Sequence, residues 1–519
     1  MSDLWTSSAT ELAASLARGD VSSVEATSAH IARIEAVDGM LNAVVVRRFE
    51  EALAEARLAD ERRAHSEPLG PMHGLPVTIK ESLDVTGTPS TFGLTTRSHD
   101  RATHDDPYVA KWRAAGAIVT AKTNLSQLMI FIESDNPVYG RTNNPWDIAR
   151  SCGGSSGGEG AIVAAGGSPL GLGTDIGGSL RVPAAFNGIA SLKPTAGLLP
   201  DLTRFKFFDG QTAIVSQVGP LARHVADLDL GLRVAAGRAP GNAAARGVVG
   251  LRVGVYERAG SFRSSPALAR ASREAAQLLE DLGATVVPFN PPEVDHAMDL
   301  FYGILAADGA RGALEELGKG PRDPRVAELL GIVAKPRAVI APLTLLLRLA
   351  GERSLANIVR NYGFFDAHHY WGLVAETERY RARFEAAMNG AEGGPLDLIV
   401  APPTGLPALR HGASGKVSVP GAYAPLYNIL GYPCGTLPFT RVRAEEETER
   451  TPSRDRVEMA AFETERGSAG LPAGIQLVGR PWHEEDVLAA MYALENVLRE
   501  RPDYPVTPVT PTYGPASQK

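Results

Sequence analysis

The chain has 519 residues, enough for one large core with an inserted subdomain or for two domains. A hydrophobic fraction of 44% is ordinary for a globular protein, and a net charge of −7 argues against nucleic acid as the main partner, which requires a concentrated basic surface. Two cysteines, Cys152 and Cys434, exclude a disulfide framework and a CxxC metal pair, and favour a reducing, cytoplasmic setting.

The N-terminal run MSDLWTSSATELAASLARGD lacks a basic start followed by an apolar core, so no secretory signal is expected. No uninterrupted apolar stretch of about 18 residues predicts a transmembrane helix. Residues 7–60 read as helical, with Leu12, Leu16, Val24, Ile31 and Ile34 at three- and four-residue spacing. Residues 1–70 are therefore expected to form a helical segment ahead of a catalytic domain over 71–519. Leu75, Val77 and Ile79 alternate as in a strand, and Lys80 closes it. A helix is expected over 108–115, stopped by Gly116, followed by the strand AIVTAKTN.

Residues 137–157 are rich in turn formers and read as loop, and EGAIVAAGG follows as a short, close-packed helix. Strands alternating with helices predict an α/β fold. Residues 237–250 read as exposed, LRVGVYE as a strand, and 263–390 as a largely helical region covering a substrate pocket. LDLIVAP returns to a strand and precedes a Pro/Gly-rich loop. The charged stretch 443–468 reads as a solvated hairpin or loop. GLPAGIQLVGRP is a late strand, HEEDVLAAMYALENVLRE a closing helix, and the tail after Arg501 is extended. There is no internal repeat. Histidines lie singly apart from His368 and His369, without metal-ligand spacing, so neither metal nor cofactor is expected.

Two glycine–serine clusters carry the chemistry. Gly153-Gly154-Ser155-Ser156-Gly157 fits the loose G-x-S-x-G elbow, but NNPWDIARSC before it makes a poor strand, and an elbow needs one. In Thr174-Asp175-Ile176-Gly177-Gly178-Ser179, two glycines precede a serine. Glycine admits close approach and positive φ, so consecutive N–H groups there can converge as an oxyanion hole beside a nucleophilic Ser179. A serine needs a base, and no histidine is placed for it. Lys80, at a buried strand end, can act as that base once desolvation lowers its pKa. Ser155 and Ser156 are both able to relay a proton between Lys80 and Ser179, and the pattern does not choose between them.

The run GGSSGGEGAIVAAGGSPLGLGTDIGGSLRVPAAFNGIASLKPTAG resembles the signature of the amidase signature family. GLPVTIKESLDVTG, KTNLSQLM, NNPWD, VSQVGPLAR, APPTGLPA, YNILGYPCGTLPF and GLPAGIQLVGRPW resemble its other landmarks, and the likeness is weakest between about 240 and 390. The resemblance implies Lys80 as base, Ser155 as a bridging serine held by a cis peptide, and Ser179 as nucleophile. It implies oxyanion donors at the N–H groups of Ile176, Gly177, Gly178 and Ser179, with Ser156 supporting the network. Asp175 and Arg181 flank the nucleophile and read as an ion pair bracing that loop. The fold implied is a mixed, mostly parallel sheet of about eleven strands between helical layers.

Within the family the sequence is similar to fatty acid amide hydrolases, with Glu159 in GGSSGGEG, but lacks the N-terminal transmembrane segment of the animal enzyme; a soluble bacterial-type relative is expected. Leu128, Met129, Phe131 and Ile132 suggest a hydrophobic acyl or aryl amide as substrate, esters or carbamates being further candidates, and read equally well as core. PRAVIAPLTLLLRLA (336–350) matches a region that docks on membranes in such enzymes, yet Pro342 interrupts it and favours an ordinary buried or pocket-covering helix. A homodimer is common in the family. The alternatives are a glutaminase subunit of a tRNA-dependent amidotransferase and a non-catalytic amide-binding relative.

Overall fold

Val44–Arg47 (β1), Pro76–Lys80 (β2), Ile118–Thr123 (β3), Leu170–Asp175 (β8), Ala190–Lys193 (β9), Gln217–Ala222 (β10), Arg252–Val255 (β11), Thr285–Pro288 (β12), Leu398–Ala401 (β13), Cys434–Arg441 (β14) and Pro472–Gly479 (β15) form one sheet. Its order is β1-β3-β2-β8-β10-β9-β14-β15-β13-β11-β12. Four short strands, Asp135–Asn136 (β4), Gly140–Arg141 (β5), Asn143–Asn144 (β6) and Asp147–Ser151 (β7), pair outside it as two-stranded ribbons. The structure is a computed structural model and describes residues 3–202, 210–238, 243–417 and 423–514. Parts of the expected exposed stretch 237–250, of the loop after residue 402 and of the C-terminal tail lie outside the described residues.

The eleven-stranded mixed α/β sheet is as expected, but it is not mostly parallel. β2 is parallel to β3 and β8, and β11 to β12 and β13, while the central run β8–β10–β9–β14–β15–β13 is antiparallel throughout. Parallel neighbours need a crossover connection. Here β9 pairs directly with its successor β10, and β14 with its successor β15, so the chain reverses.

Helices cover both faces, and strand alternation divides the core between them. On β13, Leu398 and Val400 join one apolar cluster and Ile399 and Ala401 the other. Between the helices Ser23–Leu41 and Phe49–Ala64, the β-branched run Val44-Val45-Val46 adds edge strand β1, which interrupts the expected helical stretch 7–60. Residues 137–157 are not all loop. β7 precedes the elbow-like motif but pairs with β6 and bridges Arg410 rather than joining the large sheet, so the elbow still lacks a strand of the main sheet.

The charged stretch 443–468 is not a solvated hairpin either. Asp455 caps a helix Arg456–Glu465, accepting the Val457 N–H at 2.9 Å, and Val457, Ala460 and Ala461 are buried. Many of its charges are paired, Arg450 reaching both Glu458 and Glu465 and Glu446 meeting Arg270 of a neighbouring helix.

Helix Pro266–Asp281 and edge strand β12 begin the largely helical region, and Val294–Leu305, Arg311–Leu317, Pro324–Val333, Arg337–Leu349 and Ala367–Asn389 continue it. Arg337–Leu349 runs through Pro342, which forfeits only the bond to the exposed Ala338 carbonyl. That helix is only half-buried and none of its residues lines the cavity, although Ile340 packs into the cluster beneath the helical cap. Ile340 and Thr344 are its buried residues, whereas Leu345, Leu346 and Leu349 are 59%, 63% and 76% exposed. Among the described residues no single helix is long and apolar enough to cross a membrane. Pro324–Val333 and Arg337–Leu349 qualify only together, and they are bent by 113°.

Candidate active site

β2 is buried at every position. Val77 and Ile79 enter the core on one face, so alternation turns Thr78 and Lys80 to the other. The Lys80 amine is shut off from solvent and donates to Ser155 Oγ at 2.7 Å and Thr174 Oγ1 at 2.8 Å. Burial pulls it down to about 7, against the opposing pull of Asp201, Asp175, Glu159 and Glu81. A lysine in this state is partly neutral at neutral pH and able to accept a proton.

Ser155 follows a cis peptide bond from Gly154 and lies just before the helix Gly157–Ala164. Ser156 faces elsewhere. Its Oγ donates to the Thr174 carbonyl at 3.2 Å and its N–H to the Ser179 carbonyl at 3.2 Å, so it joins the two loops rather than meeting the lysine. Ser179 stands between the end of β8 and the helix Arg181–Asn187. Ser155, Thr174, Ile176, Gly177 and Ser179 all open on one cavity of about 440 Å³.

The nucleophile loop hangs on an internal ion pair. Asp175 and Arg181 are fully buried and meet at 3.1 Å. Asp175 also accepts the N–H groups of Gly178 at 2.8 Å and Leu180 at 3.1 Å, and the Asn428 amide at 2.9 Å. Burial alone would raise its carboxyl; Arg181 outweighs it and holds the group well below the usual range. Gly178 adopts φ of 109°, and a Cβ there would lie 2.7 Å from the Ala424 methyl, so only glycine suits the turn. Because the Gly178 N–H is given to Asp175, it is not available to an oxyanion. Of the four expected donors, Gly178 is the one whose N–H Asp175 accepts.

Leu128, Met129, Phe131 and Ile132 line the cavity, and Leu128 and Phe131 also pack into the cluster beneath the helical cap. The facing wall comes from Phe301, Tyr302 and Leu305 and from Leu329, Leu330 and Val333. Arg325, in the first turn of Pro324–Val333, ties that helix to the cavity loop by bonds to Glu133 at 3.0 Å and Asp135 at 3.2 Å. Sequence reasoning missed Thr174, although its place at a strand end beside the nucleophile loop was a signal. It also missed the cap residues, because no pattern tells which face of those helices meets the loop.

The family model described as Amidase matches residues 25–488. Fatty-acid amide hydrolase 1 of Sus scrofa is 36% identical over 452 residues, covering 83% of this chain and 76% of that protein. A glutamyl-tRNA(Gln) amidotransferase subunit of Moorella thermoacetica is 31% identical over 524 residues, covering 96% of this chain and 99% of that protein. Among solved structures, a fatty acid amide hydrolase superposes with a TM-score of 0.78 at 26% identity, covering 95% of this chain and 85% of that one. The chain belongs to the amidase signature family and is an amide-hydrolysing enzyme.

Proposed function

We propose that the enzyme is a serine amidase working through Lys80, Ser155 and Ser179, with hydrophobic acyl or aryl amides as substrates. One observation carries this reading: the Lys80 amine lies 2.7 Å from Ser155, and Ser155 and Ser179 share a cavity walled largely by apolar side chains. Neutral Lys80 draws a proton from Ser155, and Ser155 draws one from Ser179. The Ser179 oxygen then attacks the amide carbonyl. The N–H groups of Ile176, Gly177 and Ser179 stabilise the oxyanion, each worth roughly 10²–10³ in rate. The relay returns a proton to the leaving amine, and water, activated by the same relay, hydrolyses the acyl-enzyme. Esters and carbamates fall within the same acyl-transfer chemistry. No metal or cofactor enters this scheme.

The apolar wall formed by Phe301, Leu305, Leu329 and Leu330 suits a hydrophobic acyl group and disfavours the small polar amide of a glutaminase subunit. The complete set Lys80, Ser155 and Ser179 disfavours a non-catalytic relative. A screen across acyl-chain lengths, aryl amides, carbamates and glutamine, with Ser179→Ala as blank, tests the reading. It fails if Ser179→Ala retains amidase activity or if a fluorophosphonate leaves Ser179 unlabelled.

A second proposal concerns location. Leu345, Leu346 and Leu349 share an exposed face near Arg348, and Trp371 is also exposed. We propose that this face rests on a membrane surface; a homodimer is the competing way to cover it. The unpaired, buried Cys152 and Cys434 fit a cytoplasmic setting.

A further inference from the structure

Glu159 is a buried acid that the proposed reaction leaves unused. It is the third residue of the helix Gly157–Ala164, four residues after Ser155, and it is fully buried. Its Oε2 accepts the Thr78 hydroxyl at 2.6 Å and its Oε1 accepts the Thr123 hydroxyl at 2.8 Å. These partners bracket the lysine. Thr78 lies two residues before Lys80 on the same face of β2, and Thr123 is the register partner of Lys80 on β3. On the other side, β8 places Gly171 opposite Thr78, and a Cβ at 171 would fall 2.0 Å from Glu159 Oε2. Three strands thus form a slot shaped to one carboxyl.

An apolar side chain would fill that slot without the cost of burying a carboxyl. Two other buried carboxyls near the site have guanidinium partners: Asp175 has Arg181, and Glu133 has Arg325. Glu159 instead has two hydroxyls, and the cation that acts on it is Lys80.

We propose that Glu159 is a positioning residue for the relay: its carboxyl clamps β2 and β3 to the start of the helix that follows Ser155, and so holds the Lys80 amine on the Ser155 hydroxyl. This rests on the Lys80–Ser155–Ser179 reading above. The clamp also carries a charge that Lys80 feels. Burial raises the Glu159 carboxyl to about 8, partly offset by its two threonines and by Lys80, so near neutrality it exchanges its proton in the same range as the lysine. Asp201, Asp175 and Glu81 are the other acids acting on Lys80, and like Glu159 they favour its ammonium form. On the acid limb, near and below 7, the raised carboxyl is mostly protonated, so Glu159→Gln mimics the form present there and keeps the clamp's shape.

The test is kcat and KM as functions of pH for wild type, Glu159→Gln, Glu159→Ala and Thr123→Val, each with its unfolding temperature. Glu159→Gln keeps the shape of the protonated acid and is expected to recover most of the kcat lost in Glu159→Ala. Glu159→Ala and Thr123→Val loosen the clamp and are expected to lower kcat about tenfold or more with KM within about twofold, because the cavity is untouched. Thr123→Val carries the test if a Glu159 variant does not fold. The role is overturned if kcat per folded enzyme is unchanged in Thr123→Val and Glu159→Ala, or if Glu159→Gln loses as much kcat as Glu159→Ala. Lys80→Met separates the two readings. Activity that survives it removes the relay itself, whereas an inactive Lys80→Met beside indifferent Glu159 and Thr123 variants removes only the clamp.

Discussion

Lys80 holds Ser155 and Thr174 at the same time, its amine 2.7 Å from one hydroxyl and 2.8 Å from the other. The ammonium form uses both bonds, but only the neutral amine can take the relay's proton. With burial setting the amine at about 7, the base is charged and idle below that value and free above it. Activity should therefore fall as pH drops through about 7, by roughly tenfold per unit in kcat/KM, and level off above. Thr174→Val removes one acceptor from the ammonium form, so its limb should shift to lower pH while kcat falls on the order of tenfold. A profile flat between about pH 5 and 9 would exclude Lys80 as the base.

Arg181 offsets a carboxylate that three other donors already organise. Removing the guanidinium in Arg181→Met leaves Asp175 charged and buried, which costs roughly 3–5 kcal/mol. The unfolding temperature should drop and fluorophosphonate labelling of Ser179 should slow together, because the Gly178 and Leu180 N–H groups are fixed by that same carboxylate. Arg181→Lys should recover only part of the loss, since a point charge cannot serve Asp175, the Ala424 carbonyl and Asn428 at once. A stable, fully reactive Arg181→Met would show that the loop holds its own shape.

Gly178→Ala tests the turn itself. Positive φ costs a non-glycine residue about 1–3 kcal/mol, and the 2.7 Å approach to Ala424 forces the loop to move. Ser179 is the next residue, so kcat/KM should fall by about 10²-fold or more through misplacement of the nucleophile. Gly331→Ala is the control: on the exposed side of helix Pro324–Val333 an added methyl meets open space, and stability should rise by about 0.4–1 kcal/mol.

How far these arrangements could be read beforehand depends on which interactions are local. Lys80 was legible because strand alternation is local, and Ser179 because two glycines precede it. Ser155 could not be told from Ser156 by pattern, since the choice rests on contacts of Lys80 with a segment 75 residues away. The Gly178 N–H was misjudged for a related reason: its use by Asp175 depends on how the loop folds back on itself, not on spacing. The sheet's antiparallel centre escaped notice because strand–helix alternation looks the same whichever way the next strand returns. The helix Arg456–Glu465 was hidden by its charges, two of which, Glu458 and Glu465, pair with Arg450 ahead of the helix.

The exposed leucines give the last prediction. Leu345 and Leu349 lie four residues apart on one helical stripe with Leu346 beside them, and none of the three lines the cavity. Burying such side chains in the interfacial region of a bilayer is worth about 0.8 kcal/mol per CH₂, so three leucines suffice for measurable though reversible binding. Leu345→Glu with Leu349→Glu should reduce co-sedimentation with anionic lipid vesicles about tenfold or more and leave hydrolysis of a freely soluble aryl amide unaltered. Sedimentation velocity reads the competing outcome. If the double variant binds vesicles as well as wild type but changes from dimer to monomer, the leucine face is covered by a second copy of the chain and not by lipid.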